Sequence, residues 1–304
     1  MNSLTLTLSP EQVSALEAKY PSNVQPPPPH AVLRLKIDGL TITAYQSGKV
    51  LFQGKGIETF IQKNQLESSI KTSKEKSKDT PSLPKDFSSW SVMGSDEVGN
   101  GAYFGPLTVA SAYVSKENIP LLKKMGVKDS KDLTDEQIRA LVPKIKEVIP
   151  YKLLTLWPEK YNEVQQVKNL NEIKALLHNQ ALRLLSEKIM PESPEGYLID
   201  QFCKPELYYR YLKGQPLVDK NKTYFITKGE SHHIAVAAAS MIARCAFLDG
   251  LDSLSAEFGY KLPSGAGNNV DQIAAKILKH NGMDTLRKVA KLHFANTEKA
   301  KRMK

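Results

Sequence analysis

Four acidic residues of this 304-residue chain stand where charge is expensive. Asp96 and Glu97 follow the apolar run Trp90–Met93, Asp200 closes the run Tyr197–Ile199, and Glu230 closes the stretch "TYFITKGE". Each run reads as a buried strand, and a carboxylate at the end of a buried strand is costly unless something compensates it. If those strands are neighbours, three or four carboxylates meet at one sheet edge, where mutual repulsion raises their pKa values unless cations lie between them. Hard divalent ions with oxygen ligands, Mg²⁺ or Mn²⁺, are the natural compensation. Two such ions about 3.5–4 Å apart form a clamp suited to a phosphodiester. A single strand-end acid also serves to cap the following turn; four of them together point to metal.

The chain carries a net charge of +10, with a pI near 9.3. That balance favours a polyanionic partner, either nucleic acid or an anionic surface. The last thirty or so residues add to it, with Lys276, Arg287, Lys288, Lys291, Lys299, Lys301 and Arg302 reading as a solvated basic tail. An acidic pocket in a basic protein suits a polyanion only if metal ions occupy the pocket. No long uninterrupted apolar run suggests a membrane span, and residues 1–30 lack the pattern of a signal peptide. Cys203 and Cys245 are far apart and lack metal-ligand spacing, as expected of reduced thiols in a cytoplasmic protein.

From Ser89 onward, strands and helices alternate. Strands are expected at 90–95, 107–114, 151–157, 196–202 and 222–230, and helices from the Thr134–Gln137 capping box, over 170–190, 234–248 and 270–295. Pro143 is expected to kink or interrupt its helix. This is an α/β unit with one mixed sheet. Residues 1–64 read differently, as strand, helix, three antiparallel strands and helix, with turns at Asp38-Gly39 and Ser47–Lys49. Alternation places Leu4, Leu6, Leu33, Leu35, Ile37, Leu40 and Ile42 on a helix-covered face. Thr5, Thr7, Arg34, Lys36, Thr41, Thr43 and Tyr45 fall on the other, acid-free face, which is also what a groove-binding sheet needs. Residues 65–88 are Lys- and Ser-rich without an apolar period and are expected to be a flexible linker. The catalytic unit is then 89–304.

"GSDEVGNGAYFGPL" (94–107) closely resembles the signature of the type 2/type 3 ribonucleases H. "KDSKDL" (128–133), "NLNEIKALLHNQAL" (169–182), "LIDQF" (198–202) and "KGES" before "HHIAVAAASMIAR" (228–244) are similar to that superfamily's further motifs, in the same order. The N-terminal element order resembles the TATA-box-binding-protein-like module of the type 3 branch. The resemblance implies an RNase H-like mixed sheet flanked by helices, preceded by a small α+β antiparallel-sheet domain. It implies a monomeric endonuclease that hydrolyses the RNA strand of an RNA–DNA hybrid with two Mg²⁺ or Mn²⁺ ions and has no membrane association. Asp96, Glu97 and Asp200 would be ligands, with Glu230 as the fourth catalytic acid, a ligand or a water-positioning group.

Gly99, Asn100 and Gly101 would bring the backbone close to a ribose 2′-hydroxyl, although they also suit a tight turn. Lys131 would contact phosphate, and His232 and His233, beside Glu230, are candidate proton relays. Arg34, Lys36 and Tyr45 would face the hybrid on the N-terminal sheet. Type 2 members typically carry arginine where Asn100 stands, and asparagine lacks that charged fork. The rival expectations are a type 2 enzyme that incises at single ribonucleotides and a hybrid-binding protein without catalysis.

Overall fold

The computed structural model describes residues 3–28, 31–45, 47–64, 66 and 83–303. The chain divides into two compact units, Met1–Thr80 and Pro81–Lys304. Residues 65 and 67–82, most of the stretch read as a linker, lie outside the described residues. Phe87, at the end of that stretch, is buried in the core of the second unit against Trp90, Tyr224 and His233.

In the first unit, alternation of apolar and polar residues builds a sheet with one buried face. β1 (Ser3–Thr7), β2 (Val24–Gln25), β3 (Ala31–Ile37), β4 (Leu40–Tyr45) and β5 (Lys49–Gly54) form an antiparallel sheet in the order β1-β5-β4-β3-β2. Asp38 and Gly39 turn the β3–β4 hairpin with φ of 44° and 81°, the paired positive values that a two-residue turn of this hand requires. α1 (Pro10–Lys19) starts from a capping box in which the Gln12 amide donates to Ser9 Oγ and the Ser9 amide to Gln12 Oε1. Leu16 of α1 joins Ile57, Phe60 and Ile61 of α2 (Ile57–Lys63) over Leu6, Leu33, Leu35, Leu40 and Ile42. Across the opposite face Arg34, Thr43, Leu51 and Thr5 are successive cross-strand neighbours, and Lys36, Thr41 and Gln53 form the next row. Arg34 and Lys36 are exposed there, Tyr45 is half-buried and Thr43 is buried. No acid stands on these strand positions among the described residues.

The second unit is a five-stranded sheet, order β10-β9-β6-β7-β8, with helices on both faces. Its strands are β6 (Val92–Val98), β7 (Leu107–Val114), β8 (Tyr151–Leu156), β9 (Gly196–Asp200) and β10 (Thr223–Ile226). β6, β9 and β10 run parallel, while β7 and β8 are antiparallel additions. Helices α3 (Ile119–Met125), α4 (Asp135–Val148), α5 (Pro158–Gln165), α6 (Leu170–Ile189), α7 (Pro205–Tyr211), α8 (Ile234–Phe258), α9 (Asn268–Val289) and α10 (Ala295–Met303) complete it. α4 continues through Pro143. α8 runs ten residues beyond its expected end, to a left-handed Gly259 cap; its extension carries Asp249 and Asp252, which pair with Arg139 of α4. By length and composition α8 is apolar enough to cross a bilayer, but most of it is buried inside the unit. The short helices α3, α5, α7 and α10 and the two-residue β2 have no counterpart in the sequence expectations.

The strand alternation of β6 sorts the core. Val92 packs toward α8 with Leu198, Ala235, Val236 and Ala239. Met93 packs toward α6 with Ala175, Leu182 and Ile199. Gly94 allows the closest approach: a Cβ there would lie 2.4 Å from the Val236 amide nitrogen and 2.5 Å from the Ala235 carbonyl carbon. Replacing Gly94 by alanine should therefore part β6 from α8 and cost about 1–3 kcal/mol. Urea unfolding checks this; an unchanged midpoint would mean that the two elements are not held this tightly.

Candidate active site

β6 and β9 pair in parallel with Ser95 opposite Ile199, so the next residues along each strand, Asp96 and Asp200, arrive together at the carboxyl edge of the sheet. Both line a cleft of about 440 Å³ with Glu97, the Gly99–Ala102 loop, Lys131, Ser240 and Arg244. β6 continues to Val98, so Asp96 and Glu97 lie within the strand rather than just past it. Being adjacent on a strand, they turn to opposite faces.

Asp96 faces α8. Its Oδ1 accepts the Glu97 amide at 2.7 Å, and Ser240 of α8 also bonds its carboxyl. Ser240 Oγ lies 2.9 Å from Ser130 Oγ in the "DSK" turn. Burial, reinforced by the charges of Glu97 and Asp200, pushes the Asp96 carboxyl up to about 8. No cation pairs with it among the described residues.

Glu97 faces α6 and meets a different environment. Lys174 Nζ donates to Oε1 at 2.8 Å, and His178 Nε2 lies 2.9 Å from Oε2. Lys174 and His178 are one helical turn apart, so they share a face. Both are buried and cover the ring of Phe202, Lys174 Nζ at 4.1 Å and the His178 ring at 5.1 Å from its centroid. Ser95 Oγ holds the other nitrogen of His178, Nδ1, at 2.8 Å. Burial pushes the Glu97 carboxyl up, but His178 and Lys174 outweigh it and hold it below the usual carboxylate range.

Asp200 Oδ1 accepts the Gly229 amide at 2.9 Å, which ties β9 to the turn carrying the fourth acid. β10 ends at Ile226, and Glu230 sits in a single 3-10 turn, Gly229–Ser231, rather than at a strand end. Its side chain is buried and lines a neighbouring hollow with Asp129 and Asp132. Burial raises its pKa, with the Asp200 and Asp129 charges adding to the effect. Lys131 Nζ lies 3.9 Å from Glu230 Oε1, and its side chain is largely exposed at the cleft. His233 is no relay. Its Nδ1 accepts the Ala235 amide as the cap of α8, its Nε2 donates to the Trp90 carbonyl, and burial drives its pKa to about 4.

The loop after β6 divides by function. Gly99 has φ of 99°, and a Cβ there would strike the Pro106 carbonyl, so the fold itself requires glycine. Gly101 has an ordinary φ and open space where its Cβ would be. The Asn100 side chain, though exposed, bends back onto Glu97, its Nδ2 donating to Glu97 Oε1 at 3.1 Å. Arg34, Lys36 and Tyr45 belong to the first unit's sheet.

No three His, Cys, Asp or Glu side chains converge as a ready ligand set among the described residues. Asp96 and Asp200 fit a hard cation on the chemistry of the donors: carboxylate oxygens at the ends of neighbouring parallel strands, one of them raised to about 8 by burial and nearby negative charge. Both Glu97 oxygens are already engaged by protein groups. Sequence reasoning missed Lys174, His178, Ser240, Ser130 and Arg244. Two polar pairs one turn apart, Lys174/His178 on α6 and Ser240/Arg244 on the apolar α8, were the available signal.

Two measurements test this electrostatic division. Lys174→Met strands the Glu97 charge and should cost about 3–5 kcal/mol in urea unfolding, largely recovered in the Lys174→Met/Glu97→Gln double variant; equal losses in both would deny the pair. In metal-free protein, the raised Asp96 pKa makes the protonated form the stable one, so stability is fully present below about pH 4 and is lost as pH rises toward 8. Asp96→Asn should gain on the wild type by up to about 1.4 kcal/mol per pH unit across that window. Parallel pH profiles would contradict the assignment.

A model of the ribonuclease HII family matches residues 93–297, and one described as a domain of unknown function matches residues 3–78. Ribonuclease HIII of Enterococcus faecalis is 52% identical over 284 residues, covering 93% of this chain and 92% of that protein. Ribonuclease HIII of a Bacillus cereus strain is 46% identical over 99% of both chains. Among solved structures, Bst-RNase HIII in complex with Mn²⁺ is 39% identical, with a TM-score of 0.71 over 99% of each chain. Aquifex aeolicus RNase H3, at 22% identity and a TM-score of 0.53 over 95% of this chain and 99% of that one, shares the fold. On sequence across nearly its whole length, and on fold, the chain belongs to the ribonuclease HIII family.

Proposed function

We propose that the protein is an endonuclease that hydrolyses the RNA strand of RNA–DNA hybrids, leaving 5′-phosphate and 3′-hydroxyl ends, with Mg²⁺ or Mn²⁺ held at Asp96 and Asp200. The observation that carries this reading is the meeting of those two carboxylates on parallel strands within a cleft of a +10 protein. When bound, Mg²⁺ or Mn²⁺ supplies the charge that activates water and stabilises the phosphodiester oxygens during displacement of the 3′-oxygen. Asp96 ionises to hold it, while Ser240 and the Glu97 amide fix the carboxyl's orientation.

Glu97 is kept ionised by Lys174 and His178 and places fixed negative charge at the cleft wall. Glu230, beside Asp200 and with its pKa raised by burial and by the Asp200 and Asp129 charges, is suited to orienting the attacking water. Lys131 offers a mobile positive charge to a phosphate at the cleft mouth. The open backbone at Gly101 lets a ribose 2′-hydroxyl come within reach of main-chain groups. Arg34 and Lys36, exposed on an acid-free sheet, are suited to gripping the hybrid from the N-terminal unit.

Asn100 distinguishes this reading from incision at a single ribonucleotide. Its amide is turned onto Glu97, leaving no charged side chain in the loop for an RNA–DNA junction. Recognition then rests on several 2′-hydroxyls. A uniform RNA–DNA hybrid should be cut in Mg²⁺ or Mn²⁺ and not in excess EDTA, a duplex with one embedded ribonucleotide should be cut poorly, and Asp96→Asn and Asp200→Asn should reduce turnover to background. Activity in EDTA, normal turnover by either variant, or equal rates on the two substrates in Mg²⁺ would each overturn the corresponding part.

A further inference from the structure

Lys291 stands in a stretch that reads as a solvated basic tail, yet it has no exposed surface. Its Nζ donates to the carbonyl of Ala102 at 2.8 Å and to that of Gly105 at 2.6 Å. It forms no ion pair among the described residues. A buried ammonium without a counter-ion carries a large desolvation cost, and burial alone takes its pKa down to about 7. A methionine of similar shape would fill the space without that cost. Core packing therefore does not explain a lysine here; the two carbonyls do.

Those carbonyls belong to the loop that borders the cleft. Ala102 follows Gly101 directly and lines the cleft itself. Around Lys291 the loop is bonded at several further points. The Lys291 amide donates to the Tyr103 carbonyl at 2.8 Å, the Gly105 amide to Val289 at 3.0 Å, and the Tyr103 amide at 2.9 Å to Gly265, itself a cleft residue. From behind, Asn162 of α5 holds the same segment: its Nδ2 donates to the carbonyls of Arg287 and Ala290, and its Oδ1 accepts the Leu292 amide.

We propose that Lys291 is a positioning residue for hybrid recognition, fixing the backbone of the 99–105 loop through the Ala102 and Gly105 carbonyls so that Gly101 presents its main-chain groups to the RNA strand. The proposal rests on the substrate reading given above. Lys291 touches neither substrate nor the carboxylates and acts only through the loop, so its loss should weaken recognition more than the chemical step.

The test compares wild type with Lys291→Met on an RNA–DNA hybrid in Mn²⁺, and compares binding of hybrid and DNA duplex of the same sequence in an Asp96→Asn background. Lys291→Met should raise KM about tenfold with a much smaller change in kcat, and should lower the preference for hybrid over DNA by a similar factor. A purely structural role would lower thermal stability and leave that preference intact. A folded variant with unchanged KM and preference, or one in which kcat falls at constant KM, would overturn the proposal. Should Lys291→Met fail to fold, Asn162→Ala, which loosens the same segment from behind, carries the test with the same two outcomes. If the wild type itself showed no preference for hybrid, the substrate reading would fail before Lys291 was tested.

Discussion

Negative charge buried at the end of β6 sets the terms for the surrounding structure. A pleated strand sends neighbouring side chains to opposite faces, so Asp96 and Glu97 cannot share one compensating partner. Glu97 is compensated within the protein, by a lysine and a histidine one turn apart on α6 with an aromatic ring beneath them. Asp96 receives only a serine hydroxyl and a backbone amide, and its carboxyl rises to about 8. One acid is a finished ion pair; the other waits for positive charge.

That asymmetry organises the unit. α6 is buried even at Lys174, His178 and Asn179 because it carries the answer to Glu97. α8 must come within backbone contact of β6 at Gly94 to bring Ser240 beneath Asp96. The parallel order of β6, β9 and β10 delivers Asp200 beside Asp96 and, through the Gly229 amide, ties Asp200 to the turn carrying Glu230. The segment between α9 and α10 clamps the loop that closes the same cleft.

The acids and the framework of strands were legible in the sequence because a carboxylate after an apolar run breaks a pattern that burial imposes. The motif resemblance then joined them into one site. The compensating residues were harder to see. Ser240 is nearly isosteric with the alanines around it, and a lysine and histidine four apart on a helix look like a solvated face until Phe202 is known to cover them. Lys291 was hidden by its basic neighbours, since composition cannot separate one buried lysine from several exposed ones. Glu230 was placed at a strand end because the ladder's last pair, Asp200 with Ile226, depends on a partner strand that sequence does not show. α8 outran its apolar stretch because its final turns are amphipathic, with their acids paired to Arg139.

The central claim is that Asp96 is protonated until a cation arrives. Metal binding to such a group must release its proton. Calorimetric titration of the protein with Mn²⁺ at pH 7, repeated in two buffers of different ionisation enthalpy, counts that proton directly. With a carboxyl near 8, the account predicts release of close to one proton per protein molecule, abolished in Asp96→Asn. Binding of Mn²⁺ without proton release would show that Asp96 is already ionised and would contradict the account.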